Sequence, residues 1–223
     1  MAHGLIAYLA AAVAAASHVA APPDGATASL AARPLGQSVV LRAEPNGKPL
    51  MRLGSRGPLG GPLVLGVVGV RGSWVQVTAE ALPNGHFGWA KFGRDVAVHP
   101  VQWTLRASLS RRELDVLRGS EIVRTIPVGI GAPDSPTPTG RFAVAEKLTG
   151  PFGPAFGPRI LVLTARQPRL PAGWNRNVTY YVAIHSGSGR GSAVSAGCLH
   201  ATEADVRWLM RTVPLGTPVL ISS

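Results

Sequence analysis

The sequence predicts a mainly β protein of two consecutive small domains, and three features carry this prediction. The 223 residues include 27 glycines and 20 prolines, which interrupt the chain too often for long helices. Between these interruptions, short apolar runs alternate with polar residues, as in strands with one solvated face. Only one stretch, close to the C-terminus, has the spacing of an amphipathic helix. A hydrophobic content of 46% is sufficient to build a core in each domain.

The net charge of +11 restricts the classes of partner. A nucleic-acid groove needs clustered basic residues interleaved with aromatic ones. Here the basic residues are scattered from Arg33 to Arg211, with no run longer than Arg111-Arg112. We therefore expect no nucleic-acid partner, and we expect a polyanionic surface such as a cell-wall polymer to attract the chain.

Residues 1–28 read as a signal peptide or an N-terminal anchor. The run from Gly4 to Ala21 is apolar and rich in alanine, and small residues suited to a signal peptidase follow at 19–21 and 26–28. No Lys or Arg precedes Arg33, which departs from the usual signal pattern. An uncleaved anchor helix is the alternative. Either interpretation predicts export to the cell envelope, and residues 29–37, low in charge, then read as a linker.

Residues 38–98 predict a small β domain. Strands are expected at 38–43, 63–70, 73–77 and 87–92, with turns at 44–47 and at the hairpin signal Asn84-Gly85. The pattern WVQV, a turn with Asn-Gly and then GWA resembles a bacterial SH3-like domain. That resemblance implies a small barrel, which in the family often binds peptidoglycan, although a spacer that positions the next domain is the alternative. Trp74 and Trp89 are expected in the core rather than on a ligand platform.

Residues 99–223 predict a second β domain with one helix. Strands are expected near 105–109, 113–117, 121–129, 142–145, 178–184 and 216–221. A helix should follow Thr202, which can cap it together with Asp205, and it should end at Pro214. The Gly/Pro loop 150–158 fits either a lid or a plain connection.

The lone cysteine, Cys198, is the leading candidate for chemistry. A single cysteine cannot form an internal disulfide, so a buried structural role is the alternative to a reactive one. The residues Ser195, Ala196 and Gly197 before it are small and leave the thiol uncrowded. A thiol beside an imidazole can form a nucleophile at neutral pH, and Gly- and Ser-rich chain separates Cys198 from His185.

A metal site built from His185, Cys198 and His200 is the competing interpretation of this region. Neither a His-x-x-x-His nor a Cys-x-x-Cys spacing occurs in the chain. A protein site for zinc would also need further ligands beyond these three. We therefore expect no metal and no other cofactor.

Four motifs in order resemble a known family. They are PTPTGRF at 136–142, IHS at 184–186, SAGCL at 195–199 and GTPVLI at 216–221. Together they resemble the L,D-transpeptidase (YkuD-like) catalytic domain over roughly residues 100 to 222. The resemblance implies a β-sandwich-like, mostly antiparallel fold with a short helix after the cysteine. An SH3-like domain ahead of such a catalytic domain is a familiar pairing.

The resemblance also implies a reaction and its residues. The family cleaves peptidoglycan stem peptides before a D-alanine and joins the third residue to a neighbouring amine, and carbapenems typically acylate it. By position, Cys198 matches the nucleophile, His185 the general base and Ser186 the residue whose carbonyl orients that base. The backbone amides of Ala196, Gly197 and Cys198 match the oxyanion hole.

Two positions depart from the family pattern and leave alternatives open. Ala196 stands where histidine or arginine is frequent, and His200 where arginine or asparagine is usual. Ser195 and His200 are candidates for substrate contact. A carboxypeptidase that uses water as acceptor would share Cys198 and His185, and a non-catalytic wall-binding protein is the alternative from another class.

Overall fold

The computed structural model describes residues 29–223, and within them it shows two large β-sheets. The strands of the first sheet are β1 (Ser29–Pro34), β2 (Ser38–Arg42), β3 (Pro49–Gly54), β4 (Leu65–Arg71), β5 (Trp74–Thr78), β6 (Gly88–Lys91) and β7 (Val96–Val101). Their spatial order is β3-β2-β6-β5-β4-β1-β7, and every pair is antiparallel. The signal or anchor predicted for residues 1–28 lies outside the described residues.

The turn predicted at Asn84-Gly85 is present, but it lies inside a longer connection, residues 79–87, and does not join the strands as a two-residue hairpin. The connection links β5 to β6, which pair antiparallel from Trp74 opposite Lys91 to Val77 opposite Gly88. Gly85 has a φ of +76°, a conformation that glycine adopts without strain. Trp74 and Trp89 are 6% and 7% exposed, so both belong to the core, as expected.

The linker expected at 29–37 is corrected by the structure. Ser29–Pro34 forms β1, which lies between β4 and β7 and pairs with both. Ala31 and Ala32 are fully buried there and point to opposite faces, so the strand is covered on both sides by different apolar clusters. The composition suggested a linker because strand formation by alanine depends on its neighbours rather than on its own propensity. Strand β7 also runs to Val101, past the predicted domain boundary after 98.

The second sheet carries the motifs. Its strands are β8 (Trp103–Ser108), β9 (Glu113–Arg118), β10 (Glu121–Pro127), β12 (Gly140–Thr149), β13 (Arg159–Arg166), β14 (Tyr181–Ser186), β16 (Leu199–Ala201) and β17 (Pro218–Ser222). Their order is β10-β9-β8-β17-β12-β13-β14-β16. Two short strands, β11 (Ile130–Gly131) and β15 (Ala193–Ser195), form a separate parallel pair. The sheet is mostly antiparallel, but β8 with β17 and β14 with β16 are parallel pairs.

The predicted helix, α1, spans Glu203–Thr212. The Thr202 hydroxyl accepts a hydrogen bond from the Asp205 amide at 3.0 Å and donates one to the Asp205 carboxylate at 2.5 Å, which confirms the cap. Val206 and Leu209 are fully buried and pack over β13 and β14. The helix therefore covers the sheet directly behind the strands that carry His185 and His200.

Polar contacts join the two sheets. The Thr78 hydroxyl donates to the Thr164 hydroxyl at 3.1 Å, and the Asn84 side chain forms two hydrogen bonds with the backbone of Arg166. The Glu146 carboxylate on β12 accepts hydrogen bonds from the backbone amides of Leu59 and Gly61, in the loop between β3 and β4 of the first sheet. The first sheet and its loops are therefore held against the second sheet by specific hydrogen bonds. Over residues 29–223, no helix has the length and hydropathy needed to cross a membrane.

Candidate active site

Strand β14, second from the edge of the second sheet, carries His185 near its C-terminal end. The strand is a β-branched and aromatic run, YVAIHS, and its central residues are buried between β13 and β16. His185 is only 2% exposed. In the parallel pairing with β16 it stands opposite His200, and the two imidazole rings are 4.7 Å apart.

The tautomer of His185 follows from its hydrogen bond. Its Nδ1 lies 2.9 Å from the carbonyl oxygen of Ser186, which can only accept, so Nδ1 carries the proton. The other ring nitrogen of a neutral imidazole then has a free lone pair. The lone pair on Nε2 is thus available to accept a proton, and the Ser186 carbonyl fixes the orientation of the ring. The role of His185 as general base stays a prediction.

Burial keeps His185 neutral. The pKa of its imidazole falls from 6.5 to about 4, chiefly because the ring is removed from water, with a smaller contribution from the neighbouring His200. The hydrogen bond to the Ser186 carbonyl raises the pKa of His185, but by less than burial lowers it. At pH 7 the ring is therefore an unprotonated base.

Cys198 lies on the same face of the sheet as His185. Leu199 pairs with Ile184 and His200 with His185, so Cys198, immediately before β16, falls beside Ala183. Side chains two residues apart on a strand share a face, which puts the thiol and both imidazoles on one side. Cys198 is half-buried and packs against Ile160, Val162 and Ala183.

The apolar surroundings hold the thiol in its protonated form. Burial raises the pKa of the Cys198 thiol from 9.0 to about 11, and a hydrogen bond with the Ala183 backbone opposes this only in part. A base of pKa about 4 does not deprotonate such a thiol in the resting protein. The pair is therefore neutral, and the arrangement suits a base that accepts the proton while the sulfur attacks.

His200 has its own fixed orientation. Its Nδ1 lies 2.9 Å from the Ser188 carbonyl, so this nitrogen too is the donor and Nε2 is left as an acceptor. Gly187 must be glycine here, since a Cβ at this position would meet the His200 ring at 2.7 Å. His200 contacts the base directly, and its role toward substrate stays a prediction.

The backbone of the segment 195–198 is braced from within. The buried Ser195 hydroxyl accepts from the Gly197 amide at 3.0 Å and donates to the Cys198 carbonyl at 2.6 Å. Ser195 therefore braces this segment, and its candidate role in substrate contact stays a prediction. The Gly197 amide is engaged by this bond, and the oxyanion hole predicted at Ala196, Gly197 and Cys198 remains a prediction.

The Gly/Pro loop 150–158 lies over the base. The ring of Phe156 is 4.9 Å from that of His185, and the Ser186 hydroxyl donates to the Phe156 carbonyl at 3.2 Å. An ion pair between Arg159 and Glu203 ties the end of the loop to the start of α1. His185 is thus enclosed between Phe156 and His200, which accounts for its burial. The sequence fits this loop equally well as a lid or as a plain connection. The contact with His185 shows that the loop covers the candidate site.

Two further residues at the site were missed from the sequence. Thr137 and Gln167 hydrogen-bond to carbonyls of the segment 195–198. Thr137 lies inside the PTPTGRF motif, which was a usable signal, whereas nothing local marks Gln167. Throughout residues 29–223, no three His, Cys, Asp or Glu side chains lie close enough together to hold a metal ion.

A family model matches the region that contains this site. The model of the YkuD L,D-transpeptidase catalytic domain matches residues 102–221. A putative L,D-transpeptidase YkuD of Bacillus licheniformis is 27% identical over 156 residues, which are 66% of this chain and 86% of the relative. L,D-transpeptidase 1 of Mycobacterium tuberculosis is 29% identical over 129 residues, covering 51% of this chain and 47% of that protein.

Solved structures of the same class were also found. An L,D-transpeptidase from Mycobacterium smegmatis aligns at a TM-score of 0.43 and 16% identity, covering 71% of this chain and 99% of the other. The L,D-transpeptidase LdtMt1 in complex with imipenem aligns at 0.43 and 19% identity, with coverages of 71% and 99%.

Proposed function

Because the chain belongs to the YkuD family of L,D-transpeptidase catalytic domains, we propose that it is a cysteine-dependent acyltransferase acting on peptidoglycan stem peptides. One observation carries the proposal. The Cys198 thiol lies on the same sheet face as His185, whose bond to Ser186 leaves Nε2 free to accept a proton. A thiol and an oriented base are the minimum for thioester chemistry.

The first half of the reaction forms a thioester and releases D-alanine. The Cys198 sulfur attacks the carbonyl carbon of the stem's third residue while its proton passes to Nε2 of His185. The carbonyl oxygen becomes an oxyanion, for which we propose the amides of Ala196 and Cys198 as donors. The carbon–nitrogen bond to D-alanine then breaks, and His185 returns the proton to the departing amine.

The second half transfers the acyl group to an amine. The amine of a neighbouring stem attacks the thioester carbonyl and loses a proton to His185. The carbon–sulfur bond breaks, and the sulfur takes the proton back, which restores the thiol and completes a ping-pong cycle. Water in place of the amine would make the same site an L,D-carboxypeptidase.

The neutral resting pair has a consequence for this mechanism. A thiolate formed in advance would react with many electrophiles. A protonated thiol reacts only when a bound substrate accepts the sulfur as its proton passes to His185. Half-burial of Cys198 and the cover of Phe156 over the base restrict that encounter to a ligand seated in the site. We propose that this selectivity suits an enzyme working in an oxidising compartment outside the cell.

The proposal is tested by incubating the purified protein with a disaccharide tetrapeptide and analysing the products by mass spectrometry. We expect released D-alanine, an acyl adduct on Cys198 and cross-linked dimer. The matched variant Cys198→Ala should give none of these while keeping its melting temperature. No release and no adduct with folded wild-type protein would refute the proposal, and release without dimer would establish the carboxypeptidase.

The N-terminal β domain and the charge lead to a second proposal. We propose that the SH3-like domain predicted at 38–98, together with the charge of +11, keeps the exported protein on the anionic cell wall. Co-sedimentation with purified wall sacculi should weaken steeply as salt rises, since screening shortens the range of the attraction. Binding without any acylation of Cys198 would instead favour a non-catalytic wall-binding protein.

A further inference from the structure

The hydroxyl of Thr137 connects the PTPTGRF loop to the segment that carries the thiol. It donates to the Gly197 carbonyl at 2.9 Å and accepts from the Gly131 amide at 2.9 Å. The side chain is 4% exposed, so water cannot replace either bond. Buried hydrogen bonds of this kind are costly to leave unmade, and the Gly197 carbonyl is therefore fixed in direction.

The side-chain amide of Gln167 holds the preceding carbonyl. Its Nε2 donates to the Ala196 carbonyl at 2.8 Å and is also 3.1 Å from the carbonyls of Ser135 and Pro136. Its Oε1 accepts from the Arg169 amide at 3.0 Å, so both ends of the amide are used. Gln167 is buried and directly follows strand β13. It thus connects the PTPTGRF loop to the segment 195–198.

The absence of a side chain at Gly197 makes room for the Gln167 amide beside the segment 195–198. The φ of Gly197 is +112°, in the region that favours glycine, and a Cβ there would lie 2.0 Å from Gln167 Nε2. The glycine before the nucleophile is therefore required by two independent constraints, the backbone conformation and the space taken by Gln167.

The direction of the Cys198 amide follows from these bonds. In a trans peptide the C=O and the N–H point in opposite directions. The Gly197 carbonyl points at the buried Thr137, so the Cys198 N–H of the same peptide points away from it. The same rule applies to the preceding peptide. Gln167 binds the Ala196 carbonyl, so the Gly197 N–H points the other way, toward the Ser195 hydroxyl, with which it forms a hydrogen bond.

We propose that Thr137 and Gln167 are positioning residues that hold the two peptide planes around Gly197, so that the Cys198 amide stays aimed at the oxyanion of the acyl-transfer reaction. This inference rests on the proposed function. Both side chains are buried and bond to backbone groups, so the role that we infer for them is positioning and not contact with substrate. A donor held in place beforehand needs no reorganisation as the charge develops, which is what makes such donors effective.

The test separates this role from a general structural one by using two reagents. Imipenem acylates a thiol through an oxyanion, whereas iodoacetamide alkylates it by displacement without one. In Thr137→Val we expect the rate of imipenem acylation of Cys198, followed by mass spectrometry, to fall about 10- to 100-fold, below the loss for removing a whole oxyanion donor. The rate of iodoacetamide alkylation and the half-saturating imipenem concentration should stay within about twofold of wild type.

Matched variants complete the design. Thr137→Ser keeps the hydroxyl and should recover most of the acylation rate. Thr139→Val makes the same change at an exposed residue of the same loop and should leave both rates unaltered. Gln167→Met removes the amide at similar volume and should reproduce the Thr137→Val pattern, with melting temperatures confirming that each variant is folded.

Two results would overturn the inference alone. The first is an unchanged rate of imipenem acylation in Thr137→Val. The second is an equal fall in the rates of imipenem acylation and iodoacetamide alkylation in that variant, which would mean that the whole loop is displaced. Wild-type protein that neither imipenem nor the tetrapeptide acylates would overturn the proposed function, and this inference with it.

Discussion

The buried carboxyl pair between the two sheets, Glu80 and Glu146, predicts an unusual dependence of stability on pH. Glu80, just after β5, is 3% exposed, and Glu146 of β12 is 1% exposed. The Glu146 carboxylate accepts from the amides of Leu59 at 2.9 Å and Gly61 at 2.7 Å. Both carboxyls converge on Gly57, where a Cβ would lie 2.3 Å from Glu146 and 3.2 Å from Glu80. Within residues 29–223, Glu80 Oε1 has no hydrogen-bond partner.

The sign of the effect follows from the pKa of Glu80. Burial, and secondly the charge of Glu146, raise this pKa from 4.5 to about 8 in the folded protein. Between these two values the folded state holds a proton that the unfolded state has lost, so unfolding becomes easier as pH rises. Above about pH 8 both states are deprotonated and the loss is complete. At about 1.4 kcal/mol per pH unit, the total is about 5 kcal/mol of unfolding free energy.

The perturbation that isolates this effect is Glu80→Gln, which is neutral at every pH. We expect the wild type to lose up to about 5 kcal/mol relative to the variant between pH 4.5 and 9. Urea unfolding at several pH values, followed by tryptophan fluorescence, measures the difference. Glu44→Gln, at an exposed turn of the same domain, is the control and should show a constant difference. If the difference between wild type and Glu80→Gln does not change with pH, the reasoning fails.

Two further predictions concern the neutral thiol–imidazole pair. Because the pKa of Cys198 is about 11, its alkylation by iodoacetamide should accelerate steadily from pH 6 to pH 10, and a plateau in the neutral range would instead indicate a preformed ion pair. Because the pKa of His185 is about 4, imipenem acylation should keep its rate down to about pH 5 and fall only below it, as His185 becomes protonated. A midpoint near 6.5 in a stopped-flow pH series would show that the ring is not buried as described.

Local signals accounted for the elements that were predicted well. The helix after Thr202 has its cap, its apolar stripe and its terminating proline within one short stretch. The turn at Asn84-Gly85 is likewise marked by its own residue pair, although the Asn84 side chain is also held by the distant Arg166 backbone. Such elements can be read from sequence because the interactions that define them are close along the chain.

Elements that depend on distant partners were missed or misassigned. Strand β1 was expected to be a linker, and β3 and β13 were not recognised. The place of β1 inside the sheet comes from pairing with β4 and β7, which lie far away in sequence. Strand propensity alone does not reveal such pairing.

The sequence by itself determined which residue types and motifs make up the candidate site, and the tertiary structure decided their protonation and orientation. The lone Cys198, His185 and the four ordered motifs indicate acyl transfer, since residue type and order are properties of the chain. Burial under Phe156 and beside His200 keeps His185 neutral, and packing against Ile160, Val162 and Ala183 keeps the Cys198 thiol protonated. Thr137 and Gln167 orient the backbone around Gly197. These effects depend on desolvation and on hydrogen bonds between segments separated by tens of residues, and they exist only once the sheet is assembled.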